Sequence, residues 1–545
     1  MPLPQRFSLL VLGQGSTGLE VVSWAVDHLG DRVTSVTVYG GAQSAPTERT
    51  RELEGAGVRF AYGTEDIEGA YDICVASPGI SEFSEFFRNA SAACGEIMGE
   101  PEFAWRLSPE RWCAITGTNG KTTVTSLTNE LLRASGLASV AVGNIGNAAI
   151  HEVDRRAEGE WFVAELSSYQ IATTAELHPR VAILLNITPD HLAWHRTHEN
   201  YALAKIDLFR NMDESDLAIV NVEDEGIAAF ADRVYVPGRR VLKLGLADAG
   251  GAHAAFVRDG HLVVRIDGRE TALVRADELK IAGDHNVLNA LAAAAAALAC
   301  GASPEGVRAG LAAFAPLPHR VEPVGEVEGV RYINDSKATN TDAVEKALSA
   351  FSDTRVILLL GGSDKGTPLA DFMEVVAARA AAVVCFGAAR ERFRSALSEA
   401  SGAAEIDIAE ADDLRDAVDV ARSLAQRGDV VLLSPACASF DEFSGFEGAA
   451  TRSVHMWRSF PPRRRSASWA SAAPGWARTT RRDSVCRSAL LVARRRTAPT
   501  ARRPGGPRGR APRRPGRAAM LSPPGPSSVR GARRPRPVTP SWARS

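Results

Sequence analysis

Cysteine is scarce and poorly spaced for chemistry: the 545 residues hold seven, and no two form a C-x-x-C pair. That argues against a zinc site and a disulfide framework, and it fits a reducing cytoplasm. Long apolar runs are missing as well. Phe7–Leu12 meets a glycine before reaching signal-peptide length, and residues 292–299 fall far short of the roughly 20 that cross a bilayer, so no membrane segment is expected. A third absence is local. Residues 451–545 contain no lysine and one acidic residue, Asp483, beside 24 arginines. This stretch carries +23, which leaves −25 on residues 1–450 of a total of −2, so a near-neutral sum hides an acidic body and a basic tail. The body has the length of about three ordinary domains.

What is present is organised around one loop. Gly117, Thr118, Asn119, Gly120, Lys121, Thr122 and Thr123 follow a short apolar strand at 112–115 and open a helical stretch. Glycines let main chain approach phosphates, a helix N-terminus favours negative charge, Lys121 can reach the β- and γ-phosphates, and Thr122 can ligate Mg²⁺. The loop is two residues shorter than G-x-x-x-x-G-K-[ST], yet strand, loop and helix come in the order a nucleoside triphosphate site needs.

Upstream, a strand at 8–12, then Gly13, Gly15 and Gly18, a helix to about residue 28 and a second strand at 33–38 form a dinucleotide-type βαβ start. The acidic ribose partner is absent, with Tyr39-Gly40-Gly41 in its place, which points to a nucleotide or diphosphate site without hydride chemistry. A strand at 73–76 runs into Ser77-Pro78-Gly79-Ile80, a turn at the sheet edge where such folds bind ligands.

In the middle unit, strands at 161–166 and 181–186 end in Glu165-Leu166-Ser167-Ser168-Tyr169-Gln170 and Asn186-Ile187-Thr188-Pro189-Asp190-His191. Parallel strands put both endings beside the phosphate loop, where Glu165, Asp190 and His191 could surround Mg²⁺; the plain alternative is polar surface loops. Lys205, in a helical run at 201–209, is on spacing alone either solvated or functional. Asn286 and Asn289, at i and i+3 before an alanine-rich helix, can share one planar ligand, and Asn286 can equally cap the helix. After a linker at 315–318, three further strands lead to loops carrying Lys337, Lys365 and Ser439, an anion pocket or a set of ordinary turns.

Taken together, these motifs resemble the Mur ligases over about residues 7–447. The resemblance implies an α/β protein of three domains: a UDP-binding Rossmann-like domain at 1–100, a central P-loop-type ATPase domain with a mostly parallel sheet at 101–316, and a Rossmann-like amino-acid domain at 317–450. A disordered basic tail at 451–545 follows. Loops 334–340 and 434–441 are similar to those of the members that add D-glutamate. The implied partners are UDP-N-acetylmuramoyl-L-alanine, D-glutamate and ATP, with Mg²⁺, no nucleic acid for the body, and a cytoplasmic monomer. Residue by residue, Gly15, Ser16, Thr17, Gly18, Ser77, Pro78, Gly79, Asn144, Ser167 and Gln170 match positions around the UDP-sugar. The phosphate loop with Asn286, Asn289, Arg320 and Asp335 matches the ATP side. Thr339, Lys365, Ser439 and Phe440 match the D-glutamate side. Thr122, Glu165, His191 and a carbamylated Lys205 match metal ligands, and Lys121, His191, Lys205 and Lys337 the catalytic set. Ala193 departs from the family, where Asp is frequent. The implied chemistry is amide formation through an acyl-phosphate. A folylpolyglutamate synthase-type ligase is the alternative from the same body.

The tail suggests a genetic event. Met456 and Trp457 have single codons, and with permitted codons the neighbouring frame of residues 449–460 spells Gly-Asp-Ala-Phe-Arg-Thr-Tyr-Val-Glu-Lys-Leu, a plausible terminal ligase helix. A reading-frame shift near residue 448 is therefore expected. The competing account is a genuine disordered basic arm that binds nucleic acid or an anionic surface.

Overall fold

The structure is a computed structural model describing residues 3–437, apart from positions 282, 352, 364, 365 and 367 and the side chain of Ala193. The expected Lys365, Ser439 and Phe440 thus lie outside the described residues, as does everything said above of the tail. Three sheets follow one another along the chain.

The first is five-stranded and parallel, in the order Arg59–Ala61, Val33–Tyr39, Phe7–Leu12, Tyr71–Ala76, Cys94–Gly99. Its central strand is almost wholly apolar because both faces are covered. The chain leaves that strand at a topological switch point and turns through the glycine loop into the helix Ser16–Asp27. Gly18 is obligatory here, since a Cβ on it would lie 2.3 Å from the Gly13 carbonyl oxygen.

The second sheet has nine strands, in the order Arg269–Arg275, His261–Ile266, Ala254–Arg258, Val241–Leu244, Leu217–Asn221, Val181–Leu184, Trp112–Thr116, Trp161–Glu165, Ser139–Gly143. It is parallel except for a meander at 254–275, whose pairings are antiparallel. The turns of that meander are Asp259-Gly260 and Asp267-Gly268, with φ of 50° and 77°, and 50° and 75°. The helices Lys121–Ala134, Asp284–Ala299 and Pro304–Ala313 cover one face, the small alanines at 290–297 being fully buried. Because Trp112–Thr116 lies between Val181–Leu184 and Trp161–Glu165, the three loops singled out from sequence leave the sheet side by side. Lys205 sits in His198–Ile206, and the run then tightens to a 3₁₀ turn at Asp207–Phe209 instead of continuing as one helix.

The third sheet runs Glu322–Val327, Val330–Asn334, Val430–Ala436, Val356–Gly361, Ala380–Phe386, Asp407–Glu410, antiparallel only at its first pair. The first two sheets share one core. Phe7, Trp24, Phe103, Ile150 and Phe162 belong to a single cluster, bridged by the helix Glu100–Leu107. Among the described residues no helix is long and apolar enough to cross a membrane.

Candidate active site

The phosphate loop is held by its neighbours before any ligand arrives. Gly120, in the left-handed region at φ 84°, starts the helix Lys121–Ala134, and a Cβ there would lie 2.6 Å from Asn289 Oδ1. The Asn186 side chain clamps the loop from the adjacent strand end. Its Oδ1 accepts from Asn119 N at 2.8 Å, and its Nδ2 donates to Asn119 O at 3.2 Å. Thr118 Oγ1 donates to Thr188 O at 3.1 Å and lies 2.9 Å from Tyr201 Oη. Lys121 Nζ folds back onto the carbonyls of Gly117 (2.9 Å) and Thr118 (2.8 Å), neutral acceptors that phosphate oxygens can replace.

Lys205 is the second amine at the same carbonyl. Its Nζ donates to Gly117 O at 2.8 Å and lies 4.6 Å from the Tyr201 ring centroid, with the residue 2% exposed. Burial first, and the charge of Lys121 next, hold its pKa well below the usual lysine range, against the pull of Asp190 and Glu165. Buried His195, with Nε2 2.9 Å from Ser168 Oγ, is pushed down to about 4 by burial and then by Lys205 and His191.

Glu165 is buried, and its Oε1 accepts from Asn144 Nδ2 at 2.9 Å. Its Oε2 is buried with no hydrogen-bond partner among the described residues, as a carboxylate awaiting a cation would be. Asn144, expected at the UDP-sugar, therefore touches the expected metal ligand. His191 has φ 56° and starts the one-turn helix Leu192–His195; its ring packs 4.8 Å from that of Tyr169.

Two cavities adjoin this centre. The first, about 320 Å³, lies between the second and third sheets and is walled by Asn119, Gly120, Thr123, Asn286, Asn289, Arg320 and Asp335, all expected on the ATP side. Asn289 Nδ2 donates to Asn286 Oδ1 at 3.1 Å. Arg320 Nη2 donates to Thr122 Oγ1 at 2.9 Å. Asn119 Nδ2 also reaches Asp342 Oδ2, and Asn340 Nδ2 donates to Asn119 Oδ1 at 3.3 Å, so the third unit bonds directly to the phosphate loop. Asp335 accepts from Ser434 Oγ at 2.7 Å and from Val321 N at 3.2 Å, and burial raises it to about 7. Thr339 and Lys337 stand in the same loop, where the Lys337 amide donates to His319 O at 3.2 Å.

The second cavity, about 440 Å³, lies between the first and second sheets and gathers Ser16, Thr17, Pro78, Asn144 and Gln170 from the UDP-sugar set. Ser77 Oγ is buried against Gly13 and Gly18, while Gly15 and Gly79 are open. Ser167 and Gln170 also form a capping box for the helix Ser168–Ala172.

Several polar residues escaped the sequence reading. Asn186, Asn340, Asp342 and Glu100 join segments far apart in the chain; Asn186 and Asn340 stood within loops singled out from sequence, but neither was given a role.

Comparison with known proteins agrees with this layout. The Mur ligase middle domain matches residues 115–297, and the Mur ligase glutamate ligase domain matches residues 319–437. A UDP-N-acetylmuramoylalanine–D-glutamate ligase of Geobacter metallireducens is 39% identical over 450 residues, 82% of this chain and 96% of that protein. The chain belongs to the Mur ligase family. Relatives of the same name from Alkaliphilus metalliredigens and Geobacillus kaustophilus are each 37% identical, over 81% and 82% of this chain and 95% and 96% of their own lengths. Among solved structures, a pseudomurein peptide ligase type C from Methanothermus fervidus shares the Mur ligase fold at 16% identity and a TM-score of 0.52, over 83% of this chain and 99% of that one. The UDP-N-acetylmuramate-alanine ligase MurC of Thermotoga maritima does so at 19% and 0.50, over 83% and 100%. Like the rest of the family, this Mur ligase is an ATP-dependent ligase.

Proposed function

We propose that this Mur ligase joins D-glutamate to UDP-N-acetylmuramoyl-L-alanine, driven by ATP, in peptidoglycan synthesis. The relatives' names support the substrate pair. The observation that supports the reading is the meeting of Arg320, Asn340 and Asp342 of the third unit with Thr122 and Asn119 of the phosphate loop, as a unit that delivers an amino acid to a phosphate site would require.

The alanyl carboxylate attacks the γ-phosphorus, the bond to the bridging oxygen breaks, and ADP leaves with an acyl-phosphate formed. The D-glutamate amine then attacks the acyl carbon and loses a proton, and the tetrahedral intermediate collapses to an amide and phosphate. Lys121 and the loop N–H groups offset charge on the phosphoryl oxygens as it is transferred. Thr339 holds the incoming amino acid, with Lys365, Ser439 and Phe440 in the same role, and Lys337 acts from the ATP side. His191 orients the amine. Mg²⁺ would be held by Glu165, His191, Thr122 after it exchanges Arg320, and Lys205 if carbamylated, and it supplies charge neutralisation at the phosphates; the unpartnered Glu165 Oε2 fits that role. The reading carries with it a cytoplasmic monomer, checked by fractionation and light scattering.

One assay tests it: ADP and phosphate release with UDP-N-acetylmuramoyl-L-alanine, D-glutamate and ATP, each omitted in turn. Release that instead follows L-lysine, meso-diaminopimelate or a folate would overturn the substrate assignment.

We also infer a reading-frame shift near residue 448. The matched relatives are covered over 95–96% of their lengths while about a fifth of this chain lies outside the match, which supports it. Resequencing that returns one uninterrupted frame would end the idea.

A further inference from the structure

One buried carboxyl beside the second cavity belongs to none of the roles above. Glu100 begins the helix Glu100–Leu107, the element that carries the chain from the first sheet to the second. It is 1% exposed and forms part of the wall of the 440 Å³ cavity, with Ser16, Thr17, Asn144 and Gln170 as fellow lining residues. Its two oxygens differ. Oε1 accepts from Ile150 N at 2.7 Å, at the start of the helix Ala149–Val153, and this ties the two units together. Oε2 is buried with no hydrogen-bond partner among the described residues. A buried carboxylate oxygen left without a partner, on a residue that lines a cavity, has a structural reason when a ligand completes it.

The charges around it decide how it would do so. Among the described residues the lining holds no lysine or arginine; Glu20, on the helix Ser16–Asp27, is paired with His151 Nδ1 at 3.4 Å, and Arg155 contacts the other nitrogen of that ring. Glu152, on the same helix as His151, accepts from Asn147 Nδ2. Farther along Glu100's own helix, Arg106 is engaged with both Glu102 and Glu96. Apart from His151, already engaged by Glu20 and Arg155, the lining therefore offers a diphosphate at the glycine loop neutral donors. An ionised Glu100 would repel it, whereas a protonated one adds a donor without adding charge.

We propose that Glu100 is a substrate-binding residue whose protonated Oε2 donates a hydrogen bond to the diphospho-sugar part of the UDP-linked substrate, while Oε1 keeps the two units in register. The inference rests on the substrate reading above. Burial, opposed by the Ile150 and Ala149 amides and helped by Glu20, raises this carboxyl to about 7, so the donor form is present near neutrality and is lost as pH rises through that value.

The test is calorimetric titration of the full chain with UDP-N-acetylmuramoyl-L-alanine, and with UDP in parallel, between pH 6 and 8. If only the protonated form binds, wild-type affinity falls about tenfold across that range. Glu100→Gln keeps an acceptor for Ile150 and a permanent donor in place of Oε2. It should hold its affinity flat with pH, which also separates Glu100 from His151. Glu100→Ala should bind at least tenfold more weakly at pH 6. Wild-type affinity in Glu100→Ala, or a loss in Glu100→Gln as large as in Glu100→Ala, overturns the proposal and leaves the substrate reading standing. A wild type that binds neither ligand overturns both.

Discussion

The two cavities of this Mur ligase differ in how far their polar atoms are already satisfied. Around the phosphate loop nearly every group expected to meet ATP has a protein partner: Lys121 on two carbonyls, Thr122 under Arg320, Asn119 between Asn186 and Asp342, Asp335 on Ser434 and Val321. In the cavity at the glycine loop Asn144 and Gln170 are partnered as well, but Glu100 Oε2 is buried and unmatched among the described residues. The first site must exchange bonds to bind. The second also holds a buried oxygen that a ligand could complete, so substitutions should act differently on the two sides.

The largest effect should come where an exchanged bond goes to the transferring phosphate. Lys121→Ala removes a charge that strengthens its contacts as the phosphoryl group moves, so D-glutamate-dependent ADP release should fall by about 10²–10³-fold or more. Retained turnover would break the comparison at its strongest point. Next comes the clamp. Asn186→Ala leaves the Asn119 N–H and C=O without their side-chain partners, about 1–2 kcal/mol of loop order, and KM for ATP should rise roughly tenfold while affinity for the UDP-linked substrate stays within twofold. Steady-state kinetics with each substrate varied will show whether the effect stays on the nucleotide side.

How much of this was readable in the sequence follows from chain distance. Glycine and hydroxyl motifs abut apolar strands, so the phosphate loop, Glu165 and His191 could be placed at one sheet edge from local pattern alone. Asn119 meets Asp342 across 223 residues, and Glu100 meets Ile150 across 50; no periodicity encodes such pairs. Glu100 reads as one acid in an ordinary Glu-Pro-Glu helix start. The meander at 254–275 is different, because Asp259-Gly260 and Asp267-Gly268 are hairpin signals of the kind a sequence reading can use. Lys205 was ambiguous because spacing cannot report burial, and burial is what holds its pKa below the usual lysine range.

Each cavity has one buried carboxyl raised to about 7, Asp335 on the nucleotide side and Glu100 on the other. Both keep a proton that the unfolded chain releases near pH 4. Unfolding free energy should therefore fall as pH rises from about 4 to 7, each group adding up to about 1.4 kcal/mol per pH unit. The contribution is intact below the unfolded value and gone above the folded one. Asp335→Asn should flatten its share of that slope in thermal melts at pH 5 and 7.5. An unchanged slope would show that its fully bonded setting holds the carboxylate ionised.

The smallest effect should be at the contact between units. Asp342 is half-buried, shares its carboxylate between Asn119 and Lys346, and stands three residues from Thr339. Losing one such partly exposed contact is worth about 0.5–1 kcal/mol, so Asp342→Ala should raise KM for D-glutamate about two- to fivefold. Because Asn186 still holds the phosphate loop, KM for ATP should stay within twofold. A larger change for ATP than for D-glutamate would mean that Asp342 serves the nucleotide cavity itself, and the division between the loop's clamp and its cross-unit contact would have to be redrawn.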